Sequence, residues 1–160
     1  MMIVFACWLH VSVIVAYFEI KPSQEHAHDI DIHMYENEEL IGFVSYTKIS
    51  LVPFYIIHNL YVYPRFRKKG YGKQLLQYVC SVIQQQGGTR AYIQPGPFEI
   101  VNGHTIKDGI LHEQKMQFLV HFYQKYGFQK VNPVLTKISS VLYRLMHIPE
   151  DARYLMVKYF

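Results

Sequence analysis

Cysteine is scarce in this chain of 160 residues, which contains two, Cys7 and Cys80. Two distant cysteines make no disulfide framework, no metal-ligand spacing and no redox motif. Charged residues make up only 18% of the chain, and internal repeats and low-complexity tracts are absent from the sequence. Because 51% of the residues are apolar, a disordered protein is excluded. We expect a single domain over residues 1–160, since the length suits one buried core, in a reducing, cytoplasmic setting.

A large excess of charge is also missing, since the net charge is +4 and the pI is about 9.0. The positive residues concentrate between Arg65 and Lys73. Such a local cluster favours an anionic partner, and a phosphate-bearing cofactor is enough to explain it. No recognised nucleic-acid motif accompanies the cluster, so we do not expect a nucleic-acid partner; salt-dependent binding to RNA or DNA would reopen that reading.

The first twenty residues form a nearly uncharged apolar segment. The segment lacks the initial positive charge and the small-residue cleavage site of a signal peptide. Its length only just allows a membrane-spanning helix. Most of its apolar residues are β-branched or aromatic, which favours a buried first strand over residues 1–20. A membrane anchor is therefore the less favoured alternative.

The rest of the chain predicts an α/β protein of the α+β type, with a mixed, mostly antiparallel central sheet flanked by helices. Alternating residues from Asp29 to Tyr35, a polar turn, and the run from Leu40 to Ser50 predict a hairpin. Hydrophobic periodicity, glycine and proline then predict strands over 55–63, 90–94, 128–131 and 154–160. Helices are predicted before Gly87 and over 113–126 and 137–147. Residues 98–110 are predicted to form a loop.

A glycine-rich turn joins the strand over 55–63 to the helix that follows, in the order Arg67-x-x-Gly70-x-Gly72. Glycine lets a ligand approach the backbone, and a helix N-terminus presents unpaired N–H groups to phosphate. A P-loop needs Ser or Thr after Gly-Lys, but Gln74 follows Lys73. The dinucleotide fingerprint needs glycine at the position of Leu75.

The turn instead resembles the acyl-CoA turn R/Q-x-x-G-x-G/A of the GNAT superfamily of acetyl-CoA-dependent N-acetyltransferases. The run Asn59-Leu60-Tyr61-Val62-Tyr63-Pro64 before it and the leucines after it resemble the same family. Phe122-Tyr123-Gln124-Lys125-Tyr126-Gly127-Phe128 is similar to the family's second signature, F-Y-x-K-x-G-F. The resemblance covers about residues 29–131 and implies the GNAT-like acyltransferase fold.

The resemblance implies acetyl-CoA as cosubstrate and a primary amine as acceptor. In this family the amine attacks the thioester directly, without a covalent enzyme intermediate. The acetyl carbonyl and the pantetheine chain are assigned to the backbone, and the pyrophosphate to the turn. The implied cofactor-binding residues are Leu60, Tyr61, Val62, Arg67, Lys68, Lys69, Gly70, Tyr71, Gly72 and Lys73.

Two residues are candidates for proton transfer. Tyr123 matches the family's general acid, although a core aromatic fits the same helical stripe. His58 is a candidate base, since its ordinary pKa suits the role and period-two alternation puts it on one strand face with Ile56 and Leu60. A structural histidine, with water as the base, is the alternative. The family's glutamate position is occupied here by Ile56, and a common asparagine position by Met116.

Weaker candidates remain. His26, His28 and His33, together with Asp29 and Asp31, have no recognised ligand spacing, so we expect no metal. Glu99 and Glu113 lie toward the two ends of the long loop from Pro95 to Glu113 and could attract a cationic amine. A second reading of the whole chain is a catalytically silent acyl-CoA-binding regulatory module. The chain could act as a monomer or a homodimer.

Overall fold

The computed structural model describes residues 16–24, 28–101, 104–107, 112–132 and 154–160. The elements run, in chain order, β1 (Ala16–Pro22), β2 (Ile30–Glu36), β3 (Glu39–Lys48), β4 (Phe54–Val62), α1 (Tyr71–Gln85), β5 (Arg90–Ile93), β6 (Phe98–Val101), β7 (His104–Lys107), α2 (His112–Lys125), β8 (Gln129–Lys130) and β9 (Met156–Tyr159). A short 3-10 turn over Pro64–Phe66 links β4 to the glycine-rich turn.

The described strands form a seven-stranded sheet in the order β1-β2-β3-β4-β5-β9-β8, with β6 and β7 as a separate hairpin. Only β4 and β5 pair in parallel, and the remaining neighbours are antiparallel. The parallel pair needs a crossover, which α1 provides. The predicted mixed, mostly antiparallel sheet is confirmed.

Helix α1 covers one face of the sheet because its apolar residues recur at helical spacing. Leu75, Leu76, Val79 and Ile83 are almost fully buried against the strands. Gly42 on β3 permits this close approach, since a Cβ there would lie 2.3 Å from the carbonyl oxygen of Tyr61. Any side chain at position 42 would therefore push β3, β4 and α1 apart.

Helix α2 joins the same core through its later turns. Val120 and Tyr123 are 3% and 5% exposed, and Phe128, just after the helix, is 1% exposed. All three belong to the hydrophobic cluster that contains the buried face of α1. The α2 helix predicted over 113–126 is thus found within one residue of its expected bounds.

Only residues 16–20 of the strand predicted over 1–20 are described, and they lie in β1. Among the described strands, β1 pairs only with β2, at the edge of the sheet. Tyr17 and Ile20 are 44% and 47% exposed, because an edge strand has a neighbour on one side only. Residues 1–15, and the helix predicted over 137–147, lie outside the described residues. Within the described part of the chain, no helix is both long and apolar enough to cross a membrane.

The loop predicted over 98–110 is wrong in part, since β6 and β7 pair there as an antiparallel hairpin. Pro95-Gly96-Pro97 ends the preceding strand, and the two four-residue strands after it are too short to give a clear alternating pattern in the sequence. The hairpin lies between β5 and α2 in the chain, and Phe98 and Glu99 on its first strand contact Tyr61 on β4.

Candidate functional site

One edge of β4 is only partly paired. β3 pairs with β4 from Tyr55 to Val62, whereas β5 pairs with it only from Phe54 to Ile57. β5 ends at Ile93, and Pro95 and Pro97 follow. Among the described strands, none pairs with this edge over residues 58–62 of β4, which we call the open edge.

The register with β3 determines which backbone groups face the open edge. The Tyr63 N–H donates to the Ile41 carbonyl at 3.0 Å, which makes Gly42 and Val62 a non-hydrogen-bonded pair. Such pairs alternate with hydrogen-bonded ones in an antiparallel ladder. Leu60, opposite Val44, is therefore in the same situation as Val62. The N–H and C=O groups of Leu60 and Val62 point away from β3, toward the open edge.

The glycine-rich turn lies directly beyond the open edge and starts α1. Gly70 is the N-cap, with φ of 87°, a conformation that glycine adopts without strain. The Gln74 N–H donates to the Gly70 carbonyl at 3.2 Å. The N–H groups of residues 70–73 precede this first helical bond, so they are the orphan donors of the helix N-terminus. Their direction and the helix dipole favour an anion.

The charges around the turn favour the same kind of ligand. The first turn of α1, described in full, contains no acidic residue and no side-chain cap. Lys68, Lys69 and Lys73 are exposed. The side chain of Tyr71 is engaged elsewhere, because its hydroxyl donates to Glu36 with contacts of 2.7 and 2.8 Å to the two carboxylate oxygens. That hydrogen bond raises the pKa of the Tyr71 phenol, and Tyr71 offers the site its backbone N–H.

Gly72 connects the turn to the open edge. A Cβ built on Gly72 would lie 3.8 Å from the Phe122 ring and the Val62 side chain, and 3.9 Å from Leu60. The start of α1, the open edge and α2 therefore meet at this glycine. The open edge therefore leads directly to the orphan N–H donors of the turn.

The Arg67 side chain points back toward β4. Its Nε donates to the Val62 carbonyl at 2.9 Å, and its two Nη groups donate to the carboxylate of Glu99, each at 2.8 Å. The hydrogen bond with Glu99 raises the pKa of Arg67 and lowers that of Glu99. The charge of Arg67 is thus already compensated, and Lys68, Lys69 and Lys73 supply the positive field of the turn.

Glu99 lies on β6 and holds the β6–β7 hairpin against β4. The Tyr61 hydroxyl donates to Glu99 at 3.3 Å and accepts from the Ile100 N–H at 3.4 Å. Phe98 stacks on the Tyr61 ring, with centroids 5.2 Å apart. Because Glu99 is paired with Arg67, it is not the uncompensated carboxylate that would attract a cationic amine. The side chain of Glu113 lies outside the described residues.

His58 occupies a β-bulge at the other end of the open edge. Ser45 pairs with Asn59 and Tyr46 with Ile57, so His58 is the extra residue. Its Nε2 lies 3.0 Å from the Thr47 hydroxyl and 3.7 Å from Oδ1 of Asp29. The expected common face with Leu60 is wrong, whereas His58 contacts Thr47 on the face that Ile56 shares. The bulge reverses the alternation, so Leu60 faces α1 while Ile56, like Thr47, faces the opposite side of the sheet.

Tyr123 lies inside the core. Its ring packs edge-on against Phe122 and Phe128, with centroids 5.2 and 5.9 Å apart. Burial raises the pKa of the Tyr123 phenol far above its ordinary value, so this group stays protonated through the neutral range. Its packing in the core accounts for that state, and the raised pKa makes this phenol a weaker proton donor than an exposed tyrosine.

Comparisons with known proteins identify the family and the fold. The sequence model of the acetyltransferase (GNAT) family matches residues 5–98, more than half of the chain. The chain belongs to the GNAT acetyltransferase family. No curated protein sequence matches it.

Solved structures of the family share the fold. PaiA N-acetyltransferase from Thermoplasma acidophilum, in complex with coenzyme A, is 16% identical with a TM-score of 0.55; the match covers 86% of this chain and 64% of that one, less than two thirds of its length. IAA acetyltransferase from Bacillus cereus is 15% identical with a TM-score of 0.59, and the match covers 91% of this chain and 100% of that one. N-acetylglutamate synthase from Neisseria gonorrhoeae, complexed with coenzyme A and N-acetyl-glutamate, is 15% identical with a TM-score of 0.56. That match covers 89% of this chain and 29% of the other.

Sequence reasoning did not identify Thr47 as a candidate site residue. Nothing in its local sequence marks it, because its proximity to His58 depends on how β3 pairs with β4. Asp29 was considered only as a metal ligand, together with the nearby histidines. Among the described residues, no group of three His, Cys, Asp or Glu side chains is placed to hold a metal ion.

Proposed function

We propose that the protein is an acetyl-CoA-dependent N-acetyltransferase that acts on a primary amine by direct attack in a ternary complex. One observation carries the proposal: the open edge of β4 runs into the uncapped N-terminus of α1. An extended, amide-containing chain can pair with Leu60 and Val62 as a strand would. Its pyrophosphate then reaches the N–H groups of residues 70–73. Family membership supports the same cosubstrate.

The roles within the site follow from this placement. The Leu60 N–H donates to the acetyl carbonyl oxygen and stabilises the charge that develops there as the amine attacks. The Val62 N–H holds the pantetheine chain, whereas the expected contribution of the Tyr61 backbone is wrong, because its N–H and C=O face Phe43 on β3. Around the turn, backbone groups of Lys68, Lys69, Gly70, Tyr71, Gly72 and Lys73 hold the pyrophosphate, while Arg67 orders the turn through Val62 and Glu99.

Two proton transfers complete the reaction. The amine nitrogen bonds to the acetyl carbon, the carbon–sulfur bond breaks, and the thiolate of coenzyme A accepts a proton from the Tyr123 phenol. The amine loses a proton toward His58. His58 precedes Leu60 by two residues along β4, and water carries the proton between the amine and the imidazole.

A second candidate, a silent acyl-CoA-binding regulatory module, is favoured by the burial of Tyr123. Its side chain is packed in the core, and Ile56 occupies the family's glutamate position. This reading keeps the cofactor site and removes the chemistry. It predicts tight binding of acetyl-CoA with no turnover on any amine.

Calorimetric titration of the purified chain with acetyl-CoA tests the shared cofactor site. Dephospho-CoA and ATP serve as comparisons, since each contains only part of the ligand. We expect saturable binding that prefers acetyl-CoA, followed by release of coenzyme A in a screen of primary amines. A folded sample that does not bind acetyl-CoA excludes both candidates; binding without release of coenzyme A leaves the regulatory module.

A further inference from the structure

Three side chains from separate parts of the fold meet at the bulge of β4. Asp29 precedes β2, Thr47 lies near the end of β3, and His58 is the bulged residue. The Thr47 hydroxyl donates to Oδ1 of Asp29, and the same hydroxyl lies 3.0 Å from Nε2 of His58. The side chains of His58 and Asp29 are 33% and 11% exposed, so the carboxylate is the more enclosed end of the group.

The direction of these hydrogen bonds places a hydrogen on Nε2 of His58. A threonine hydroxyl has one hydrogen, and a carboxylate only accepts. Because Thr47 gives its hydrogen to Asp29, its contact with His58 requires Nε2 to donate. A neutral imidazole with hydrogen on Nε2 carries its basic lone pair on Nδ1.

We propose that Asp29 and Thr47 are positioning residues that fix His58 as the Nε2–H tautomer, with Nδ1 as the basic nitrogen. The inference rests on the proposed function, in which His58 receives the proton of the attacking amine. Protonation at Nδ1 creates an imidazolium whose Nε2 lies 3.7 Å from Oδ1 of Asp29. The carboxylate stabilises that cation without taking up the proton itself.

Backbone hydrogen bonds and strand pairing hold Asp29, Thr47 and His58 close to one another. The Ser23 N–H donates to the Asp29 carbonyl at 2.9 Å, which ties Asp29 to the end of β1. Thr47 is paired with Ile56 across the β3–β4 ladder. The bulge then turns His58 toward Thr47, at the point where pairing between β4 and β5 has ended. The ring therefore reaches toward β3, while the backbone of His58 begins the open edge.

Nitrogen-15 NMR of the histidine rings in the full chain tests the tautomer directly. A His58→Gln variant identifies the signal of His58 among the nine histidines. We expect the wild-type spectrum to show His58 protonated at Nε2 and not at Nδ1. Thr47→Val keeps the branched shape and removes the hydroxyl, so the single tautomer should give way to a mixture. Thr47→Ser retains the hydroxyl and should preserve the wild-type pattern.

Kinetics on the best amine of the screen test the positioning role. General base catalysis contributes about 100- to 10,000-fold to a rate. We therefore expect kcat to fall at least about tenfold in Thr47→Val and in Asp29→Asn. The Kd for acetyl-CoA should stay within about twofold, because neither residue lies at the turn or at Leu60 and Val62. Thr47→Ser should recover most of the rate.

The outcomes separate the two hypotheses. An Nδ1–H signal for His58, or a kcat of Thr47→Val equal to that of the wild type, overturns the positioning role while acetyl-CoA binding stands. Should Thr47→Val not fold, Asp29→Asn carries the same comparison. A folded wild type that neither binds acetyl-CoA nor acetylates an amine overturns the proposed function instead, whatever tautomer His58 shows.

Discussion

The two ends of the open edge of β4 are built in different ways. At the end nearest α1, residues 67–73 form the turn from one contiguous stretch, and its ligand-facing groups are backbone N–H donors. At the other end, Asp29, Thr47 and His58 come from three elements and meet through a bulge. The first end offers positive charge and orphan donors, whereas the second offers an imidazole held by a hydroxyl and a carboxylate.

This difference separates binding from chemistry along a single strand. An anion needs donors and positive field, both of which one helix start provides. A proton transfer needs a side chain with a defined tautomer and a defined position. Changes at the turn should therefore alter cofactor affinity, and changes that touch the proton-transfer groups should alter turnover.

The largest effect is expected from Gly70→Asp at the turn. A carboxylate about 4 Å from the pyrophosphate costs on the order of 4 kcal/mol at an effective dielectric constant of 20. That corresponds to roughly a thousandfold increase in the Kd for acetyl-CoA, measured by calorimetry. Aspartate tolerates the positive φ of Gly70 better than most residues, so loss of binding should occur in a folded protein.

Gly70→Asn is the matched control, because asparagine has the same shape and tolerance of positive φ without the charge. We expect its affinity to stay within about tenfold of the wild type. Equal Kd values for the aspartate and asparagine variants would show that no phosphate lies at the turn.

A smaller effect, on turnover alone, is expected from Tyr123→Phe. Removing the hydroxyl deletes the proposed proton donor to the thiolate, and we expect kcat to fall about tenfold or more. The Kd for acetyl-CoA should remain near the wild-type value, since the buried Tyr123 hydroxyl is not among the groups proposed to hold the pyrophosphate or the pantetheine chain. Stopped-flow release of coenzyme A, with calorimetry alongside, separates the two quantities.

Tyr126→Phe is the control for this substitution. Tyr126 lies one turn further along, also packs against Phe122, and is only partly buried. It should leave kcat unchanged. Full turnover in Tyr123→Phe would reduce Tyr123 to a packing residue and leave the leaving thiolate to be protonated by water.

The fold was largely predictable where signals are local. Alternation gave β2 and β3, Gly87-Gly88 ended α1, and the spacing of Leu119, Phe122 and Tyr126 gave α2. The β6–β7 hairpin was not predicted, because β6 and β7 are short and follow two prolines. The exposure of β1 could not be deduced from its apolar composition, since edge position is a property of the whole sheet.

The candidate site divides in the same way. The turn over residues 67–73 could be identified from glycine spacing alone. The bulge at His58 could not, because a bulge exists only relative to the partner strand, and the alternation that the sequence suggests fails there. The pairing of Arg67 with Glu99 was equally hidden, since the two residues are far apart in the chain and lie on separate elements.

The smallest effect is expected from Glu99→Gln, which removes the bidentate partner of Arg67. Both side chains are 38% exposed, so water screens the pair and we expect a loss of only about 1 kcal/mol, or roughly 2–4 °C in Tm. Because the pair lowers the pKa of Glu99, its contribution is present above the ordinary glutamate pKa. It is lost as pH falls through the lower pKa of the folded state.

The measurement is therefore the difference in Tm between wild type and Glu99→Gln at neutral and at acidic pH. We expect the difference to shrink steadily below about pH 4, where the wild-type carboxylate becomes protonated. Glu39→Gln is the matched control: Glu39 pairs with Arg65 on a more exposed surface, with side chains 48% and 65% exposed, and should change Tm little. A difference in Tm that does not depend on pH would mean that Glu99 stabilises the hairpin through packing and not through its ion pair with Arg67.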